Sequence, residues 1–284
     1  MSAVTPPPPR SSSASPVRGG LALRIAPPAL VGRGRARRLV ERNIVAYRRG
    51  WLVLVSGFFE PLFYLLSIGL GLNHLVGDVT VGGKAVSYTV YVAPGLLASS
   101  AMNGAIYDAT FGMFFKLKIV KTYDAVLASP LGVRDVAIGE LAWALIRGTI
   151  YSAAFLVVML ALGLVASWWA VLCLPAAVLV SFAFGGMGMG GTCYMRSWQD
   201  FDLISLAIIP LFLFSGVFYP LSVYPGWLRV VVAITPLYQG VALLRGLDTG
   251  AVGPVLLVHA AYLAVAGYVG LHMATRKLRL LLLP

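Results

Sequence analysis

Charge is scarce in this chain. Of 284 residues 11% are Asp, Glu, Lys or Arg and 59% are hydrophobic, and the mean hydropathy is +0.87. A soluble domain carries about 25% charged residues. Too little polar surface remains to coat a water-facing globule, which excludes a soluble enzyme or a soluble DNA-binding domain. Cysteine is nearly absent. Cys173 and Cys193 stand twenty residues apart in one apolar stretch, beyond disulfide reach if that stretch is helical. The three histidines, His74, His259 and His272, are isolated, so no paired Cys/His spacing points to zinc.

A nucleotide-hydrolysing motif is also missing. The P-loop needs G-x-x-x-x-G-K-[ST]. The only Gly-Lys pair, Gly83-Lys84, has Asp78 at the first glycine position and Ala85 at the last. A formal G-x-G-x-x-G occurs at Gly186, Gly188 and Gly191, but inside an apolar stretch with no preceding strand to form a dinucleotide turn. Gly186 and Gly190 also form G-x-x-x-G, so close helix packing is the better reading. An intramembrane hydrolase would need a nucleophile with a base in reach. No histidine falls in the first five apolar spans, and the carboxylates carry no local catalytic motif.

What charge there is sits unevenly. The formal net charge is +12, and residues 1–50 hold ten Arg and one Glu, while the remainder is nearly balanced. A basic pI invites a nucleic-acid reading. Basicity segregated from a lipophilic body fits membrane headgroups better, with no nucleic-acid partner. Residues 1–35 are expected to be a disordered Pro/Ser/Arg-rich cytoplasmic tail. They do not read as a signal peptide, because Arg24, Pro27 and Pro28 break the only apolar run. Over residues 36–49, Ala36, Leu39, Val40, Ile44 and Tyr47 share one helical face opposite Arg37, Arg38, Glu41, Arg42, Arg48 and Arg49. Asn43 and Val45 violate the pattern. A basic amphipathic helix here is expected to lie along the membrane interface.

From Trp51 the chain reads as six spans of about 20 residues. They are placed near Trp51–Leu72, Tyr91–Phe115, Leu141–Leu164, Val171–Tyr194, Leu203–Tyr219 and Val252–Met273. With both termini in the cytoplasm, 18 Lys/Arg fall inside and three (Lys84, Arg229, Arg245) outside, as the positive-inside rule requires. The expected fold class is thus an all-α polytopic membrane protein. A cytoplasmic segment, 116–135, carries a short helical pattern ended by Ser129-Pro130. The external stretch 216–250 is apolar but cut by Pro220, Pro225, Gly226 and Pro236, with Trp227 among them. Runs so short suit helices that dip into the outer leaflet and return.

Charges within spans are costly and mark candidate sites. Glu60 precedes the helix-kinking Pro61, Asp108 lies deep in the second span, and Glu140 and Arg147 stand two turns apart on the third. Glu60 and Asp108 read either as a transport path or gate or as interhelical structural groups. Glu140 and Arg147 read as an inner-end polar pair, snorkelling to the cytoplasmic interface. Aromatics cluster at Phe58, Phe59, Phe63 and Tyr64 and again at Tyr107, Phe111, Phe114 and Phe115. They could line a passage and stack on sugar or acyl groups, or serve as packing. A secondary transporter is the rival within transport, disfavoured because Pro61 and Pro210 do not occupy matching places of two repeats. A polytopic membrane enzyme lacks its nucleophile–base pair, and a structural scaffold would not carry Glu60 and Asp108.

Several segments together resemble the type-2 ABC exporter permeases, in the branch of lipo-oligosaccharide (nodulation-factor) and daunorubicin-type drug exporters. They are Glu60-Pro61-Leu62 with Gly69-Leu70-Gly71-Leu72, Ala93-Pro94-Gly95-Leu96, Tyr123-Asp124 with Ser129-Pro130-Leu131, Gly139-Glu140 with Arg147, and Phe214-Ser215-Gly216-Val217-Phe218-Tyr219-Pro220. The last continues through Pro225, Trp227-Leu228, Pro236-Leu237 and Arg245-Gly246. The resemblance covers about residues 40–275, within an expected domain 36–284. It implies six spans, external re-entrant helices before the sixth, and a bacterial inner-membrane location. It also implies a permease dimer on two separate ABC ATPase subunits, which would hold ATP and magnesium while this chain binds no cofactor or metal and has no catalytic residue. Tyr123, Asp124, Pro130 and Leu131 would then belong to the helix that couples to the ATPase. The implied cargo is a lipid-linked saccharide or other amphipathic molecule, or a drug.

Overall fold

The computed structural model describes residues 35–47, 59–81, 83–128 and 131–282. The expectations for the tail up to residue 34, for Arg48 and Arg49, for the start of the first span and for Pro130 lie outside these residues.

The described chain is overwhelmingly helical. It comprises α1 (Arg35–Tyr47), α2 (Phe59–Val76), α3 (Tyr88–Tyr107), α4 (Thr122–Leu127), α5 (Val133–Ala161), α6 (Cys173–Thr192), α7 (Asp200–Leu213), α8 (Gly226–Ile234), α9 (Pro236–Asp248) and α10 (Val255–Leu282). Three π-helical turns interrupt the regular winding. One, Leu65–Leu70, lies within α2, and two, Asp108–Gly112 and Phe115–Ile119, prolong α3. One departure from the all-helical expectation is a hairpin of β1 (Asp78–Val81) and β2 (Lys84–Ser87), paired antiparallel with Asp78 opposite Ser87. The alternation Asp-Val-Thr-Val suits a strand, and Gly83 supplies a positive φ of 81° at the turn. Ser87 then caps α3, its hydroxyl accepting from the Val90 amide.

Four helices among the described residues are long and apolar enough to cross a membrane: α2, α5, α6 with its lead-in from Trp168, and α10. The pair α8 and α9, bent by 83°, would make a fifth as one broken span. The two other expected spans are helical but different in kind. The segment from Tyr91 lies on α3, whose Thr89, Ser99, Ser100 and Asn103 are all buried, so protein rather than lipid surrounds it. The segment from Leu203 ends at Leu213 in a 14-residue helix, about 21 Å long.

Helix α3 is the centre of the bundle. Every residue from Tyr88 to Ile106 except Val90 is buried, against α5, α6 and α9. Glycines let the backbones meet. A Cβ on Gly104 would lie 2.7 Å from the Gly148 Cα of α5. The Gly186/Gly190 pair of α6 abuts Gly267 and Gly270 of α10, and a Cβ on Gly186 would fall on the Gly267 carbonyl. The glycine run is therefore a helix crossing and no nucleotide turn. Gly186→Leu should force α6 and α10 apart and cost about 1–3 kcal/mol, read as a lower unfolding midpoint in detergent. Gly191→Ala, whose added methyl meets nothing within 4 Å, should not lower it; equal midpoints in the two variants would refute the crossing as a stability determinant.

Candidate functional site

Residues Ser99, Asn103, Tyr107 and Phe111 recur every fourth position and form one stripe along α3 and its first π turn. This stripe walls a cavity of about 440 Å³ closed by Glu60, Pro61 and Tyr64 of α2 and by Ser205, Ile208 and Phe212 of α7. Asn103 Nδ2 donates to Glu60 Oε2 at 3.3 Å, holding the carboxylate at the cavity wall. The Ser99 hydroxyl donates instead to the Gly95 carbonyl. Phe59 and Phe63 do not line this space. They stack on each other at 5.9 Å and border a second hollow of about 560 Å³ with Glu60, Ser67 and Ile68. Glu60 thus stands between two hollows. The Phe111 ring stacks on Phe201 at 4.0 Å, and Phe114 and Trp198 complete an aromatic plug at that end. At the first residue of α7, Asp200 accepts from the amides of Arg196 and Ser197.

Asp108 leaves the cavity face. The π turn that begins there directs it to Arg147, Oδ1 to NH1 3.0 Å, and both side chains are almost fully buried. Arg147 also donates to the Tyr151 hydroxyl at 3.0 Å. Gly112 makes the room, since a Cβ there would lie 2.8 Å from Asp108 Oδ1. The expected pairing of Glu140 with Arg147 and their snorkelling to water are corrected here. Two turns along α5 separate them, and each finds an opposite charge inside the protein. Glu140, 3% exposed, meets Lys116 at 2.6 Å, Arg42 at 3.6 Å and the Asn43 amide at 3.3 Å.

This second cluster explains the break in the α1 pattern. Leu39, Val40 and Asn43 are buried, with Val40 on Ala142 and Trp143, so α1 docks on α5. Asn43 belongs on that face because it reaches Glu140, whereas Val45 is exposed. Tyr123 is completely buried. Burial first, then the neighbouring Glu140 charge, holds its hydroxyl pKa well above the usual phenol range. Tyr123 therefore anchors α4 from beneath, its side chain turned into the protein. Asp124, the next residue, is exposed and Leu131 is half-buried.

At the other end, prolines mark helix starts. Pro220 precedes a single 3-10 turn (Leu221–Val223), Pro225 precedes α8, and Pro236 is the first residue of α9, where the Thr235 hydroxyl accepts from the Tyr238 amide. Trp227 is largely exposed. Arg245, counted in sequence as an external charge, is buried. Its Nε donates to the Tyr91 carbonyl at 3.0 Å and NH2 to the Gly216 and Val217 carbonyls at 2.9 and 3.2 Å. The guanidinium lies 3.8 Å from the Tyr91 ring centre. Among the described residues no group of three or more His, Cys, Asp or Glu could hold a metal.

Four helices long and apolar enough to cross a bilayer mark a membrane protein, and a polar-and-aromatic cavity lies between α2, α3 and α7. The ABC-2 type transporter family matches residues 35–248, and the chain belongs to it. It is similar to Nodulation protein J of Rhizobium leguminosarum bv. trifolii, 33% identical over 213 residues, covering 74% of this chain and 79% of that one. Nodulation protein J of Rhizobium meliloti is 29% identical over 247 residues, covering 86% and 92%. A probable doxorubicin resistance ABC transporter permease protein, DrrC, of Mycobacterium tuberculosis is 22% identical over 251 residues, covering 82% and 86%. The chain is an integral protein of the bacterial inner membrane and a permease of a family that works with ABC ATPase subunits.

Sequence reading singled out Glu60, Tyr107 and Phe111 but missed Asn103, Trp198, Phe201 and the partners of Glu140. The four-residue spacing from Ser99 to Phe111 was a usable signal; the partners of Glu140 come from two distant segments, α1 and the second π extension of α3, and left none. Breaking a buried ion pair by removing one member costs about 3–5 kcal/mol, whereas removing both is close to neutral. Asp108→Leu alone should therefore lower the unfolding midpoint sharply, and Asp108→Leu with Arg147→Leu should recover most of it. A double variant as unstable as the single one would refute mutual compensation.

Proposed function

We propose that this chain is the transmembrane subunit of an ATP-driven exporter that moves a lipid-linked saccharide, or another amphipathic molecule, out of the cytoplasm. The observation that carries this reading is the cavity between α2, α3 and α7, where the Glu60–Asn103 pair adjoins Tyr64, Tyr107 and Phe111. A hydrogen-bonding edge beside aromatic faces suits sugar hydroxyls and rings together with an acyl chain. The similarity to Nodulation protein J supports a saccharide-lipid cargo. Drug efflux is the second reading, supported by the aromatic walls and the likeness to DrrC.

In this reading α2, α3 with its π extension, α5, α6, α7 and α10 are six spans. The bent pair α8–α9 enters the outer leaflet and returns. Both termini lie in the cytoplasm, where α1 meets the inner interface through its arginines. Leu203, Leu206, Ile209 and Leu213 form an exposed apolar row on α7 that faces a second permease copy, so two half-cavities complete one path. Helix α4 couples to the ATPase. Exposed Asp124 faces that subunit, while Tyr123 ties α4 to the cluster around Glu140 and passes on its displacement as a rigid body. ATP and magnesium are held by the ATPase.

In proteoliposomes containing the partner ATPase, outward movement of a fluorescent lipid-linked oligosaccharide should exceed that of an anthracycline; the reverse preference would favour drug efflux. Glu60→Gln keeps the Asn103 contact but turns a charge-assisted hydrogen bond into a neutral one, so export should fall about tenfold at unchanged protein level. Unaltered export would remove Glu60 from the path. Asp124→Arg should reduce permease stimulation of ATP hydrolysis about fivefold, the scale of an interfacial charge contact, without lowering the unfolding midpoint. Full stimulation in that variant would place the coupling contact elsewhere.

A further inference from the structure

Between the first turn of α5 and the last turns of α10 lies a groove of about 400 Å³ that the transport path does not use. Arg134 enters it from α5, and Arg276 and Arg279 from α10. Among the described residues none of the three lies within ion-pair distance of a carboxylate. The neighbouring Asp135 points the other way, its carboxylate accepting from the Gly132 amide. The walls change character along the helix axes. Ile138 stands one turn beyond Arg134, while Leu271 and Tyr268 continue the α10 side towards the middle of that helix. Tyr268 is exposed, and its ring lies parallel to that of His272 at 6.2 Å. The Thr275 hydroxyl donates to the Leu271 carbonyl, so the three arginines, with the Tyr268 hydroxyl and the His272 ring, are the donors in the lining.

Three guanidiniums with no carboxylate partner among the described residues at one end, and an apolar wall towards the middle of α10 at the other, match the two parts of a phospholipid. We propose that this groove binds the phosphate headgroup of an anionic phospholipid in the cytoplasmic leaflet, with an acyl chain along Leu271 and Tyr268. Arginine forks suit phosphate oxygens, and basic pockets between helices at the cytoplasmic side recognise anionic headgroups. The leaflet follows from the orientation proposed above; binding itself does not depend on it. Such a lipid would bridge α5, which carries Glu140 and Arg147, to α10, which crosses α6 through glycines.

The test is native mass spectrometry of the full chain in detergent with chain-matched phosphatidylglycerol and phosphatidylcholine. Phosphatidylglycerol should be retained in preference. Arg276→Gln should weaken retention about fivefold, and Arg134→Gln, Arg276→Gln and Arg279→Gln together about a hundredfold. A charge-matched control, Lys118→Gln with Lys121→Gln and Arg196→Gln, should keep it. Equal retention of the two lipids by the unaltered chain, or loss equal to that of the triple variant in the control, overturns the proposal. So does displacement of the lipid by millimolar inorganic phosphate, which would make the groove a free-anion site. Dissociation of a dimer in the triple variant would assign the groove to a second copy instead. If the triple variant does not fold, the single Arg276→Gln decides: unchanged retention there overturns the proposal as well.

Discussion

A polar group on a helix with no aqueous side must find its partner inside the protein. Helix α3 is such a helix, and the arrangement of its neighbours follows from meeting that demand. Asp108 is answered by Arg147 of α5, and Asn103 by Glu60 of α2. Ser99 and Thr110 turn back on their own backbone. Towards its start, the carbonyl of Tyr91 receives Arg245 of α9, and the hydroxyls of Tyr88 and Tyr91 reach the carbonyls of Phe218 and Gly216. These partners come from α2, α5, α9 and the segment 216–218, so pairing these groups gathers four elements around α3.

The pairing also distinguishes two kinds of buried charge. Asp108 and Arg147 neutralise each other where lipid and water are both excluded, which makes them a structural unit. Among the described residues Glu60 has one amide partner, and two hollows lie beside it, which leaves acceptor capacity for another ligand. The cluster at Glu140 does a third thing. It gathers α1, the second π extension of α3 and α5 at one point, with Tyr123 packed near it. A force applied to α4 therefore arrives at three elements together.

Much of this was legible in the sequence because bilayer physics leaves coarse marks. Scarce charge, long apolar runs and prolines at short helix starts told of spans and interruptions. The Gly186/Gly190 spacing told of a close crossing, and Glu60 with Tyr107 and Phe111 told of a lining. What stayed hidden depended on a partner far away in the chain. Asn43 looked like a flaw in an amphipathic face until Glu140, 97 residues on, was set against it. Arg245 looked external because its acceptors are backbone carbonyls, which carry no sequence signature. Tyr123 looked like a contact residue because a six-residue helix gives no sign of which side is covered.

The π turn at Asp108 has one further consequence. A π turn holds one residue more than an α turn, so it is an insertion stored in the winding. Tyr107, just before it, serves the cavity, while Asp108, its first residue, serves the ion pair with α5. Unwinding that extra residue into regular α-helix would rotate everything beyond it by about 100° relative to what precedes it. The phase of the aromatic plug at Phe111 and Phe114 would then shift against the stripe from Ser99 to Tyr107. One peptide unit of slack thus sets the angular relation between the lining of the cavity and its inner closure.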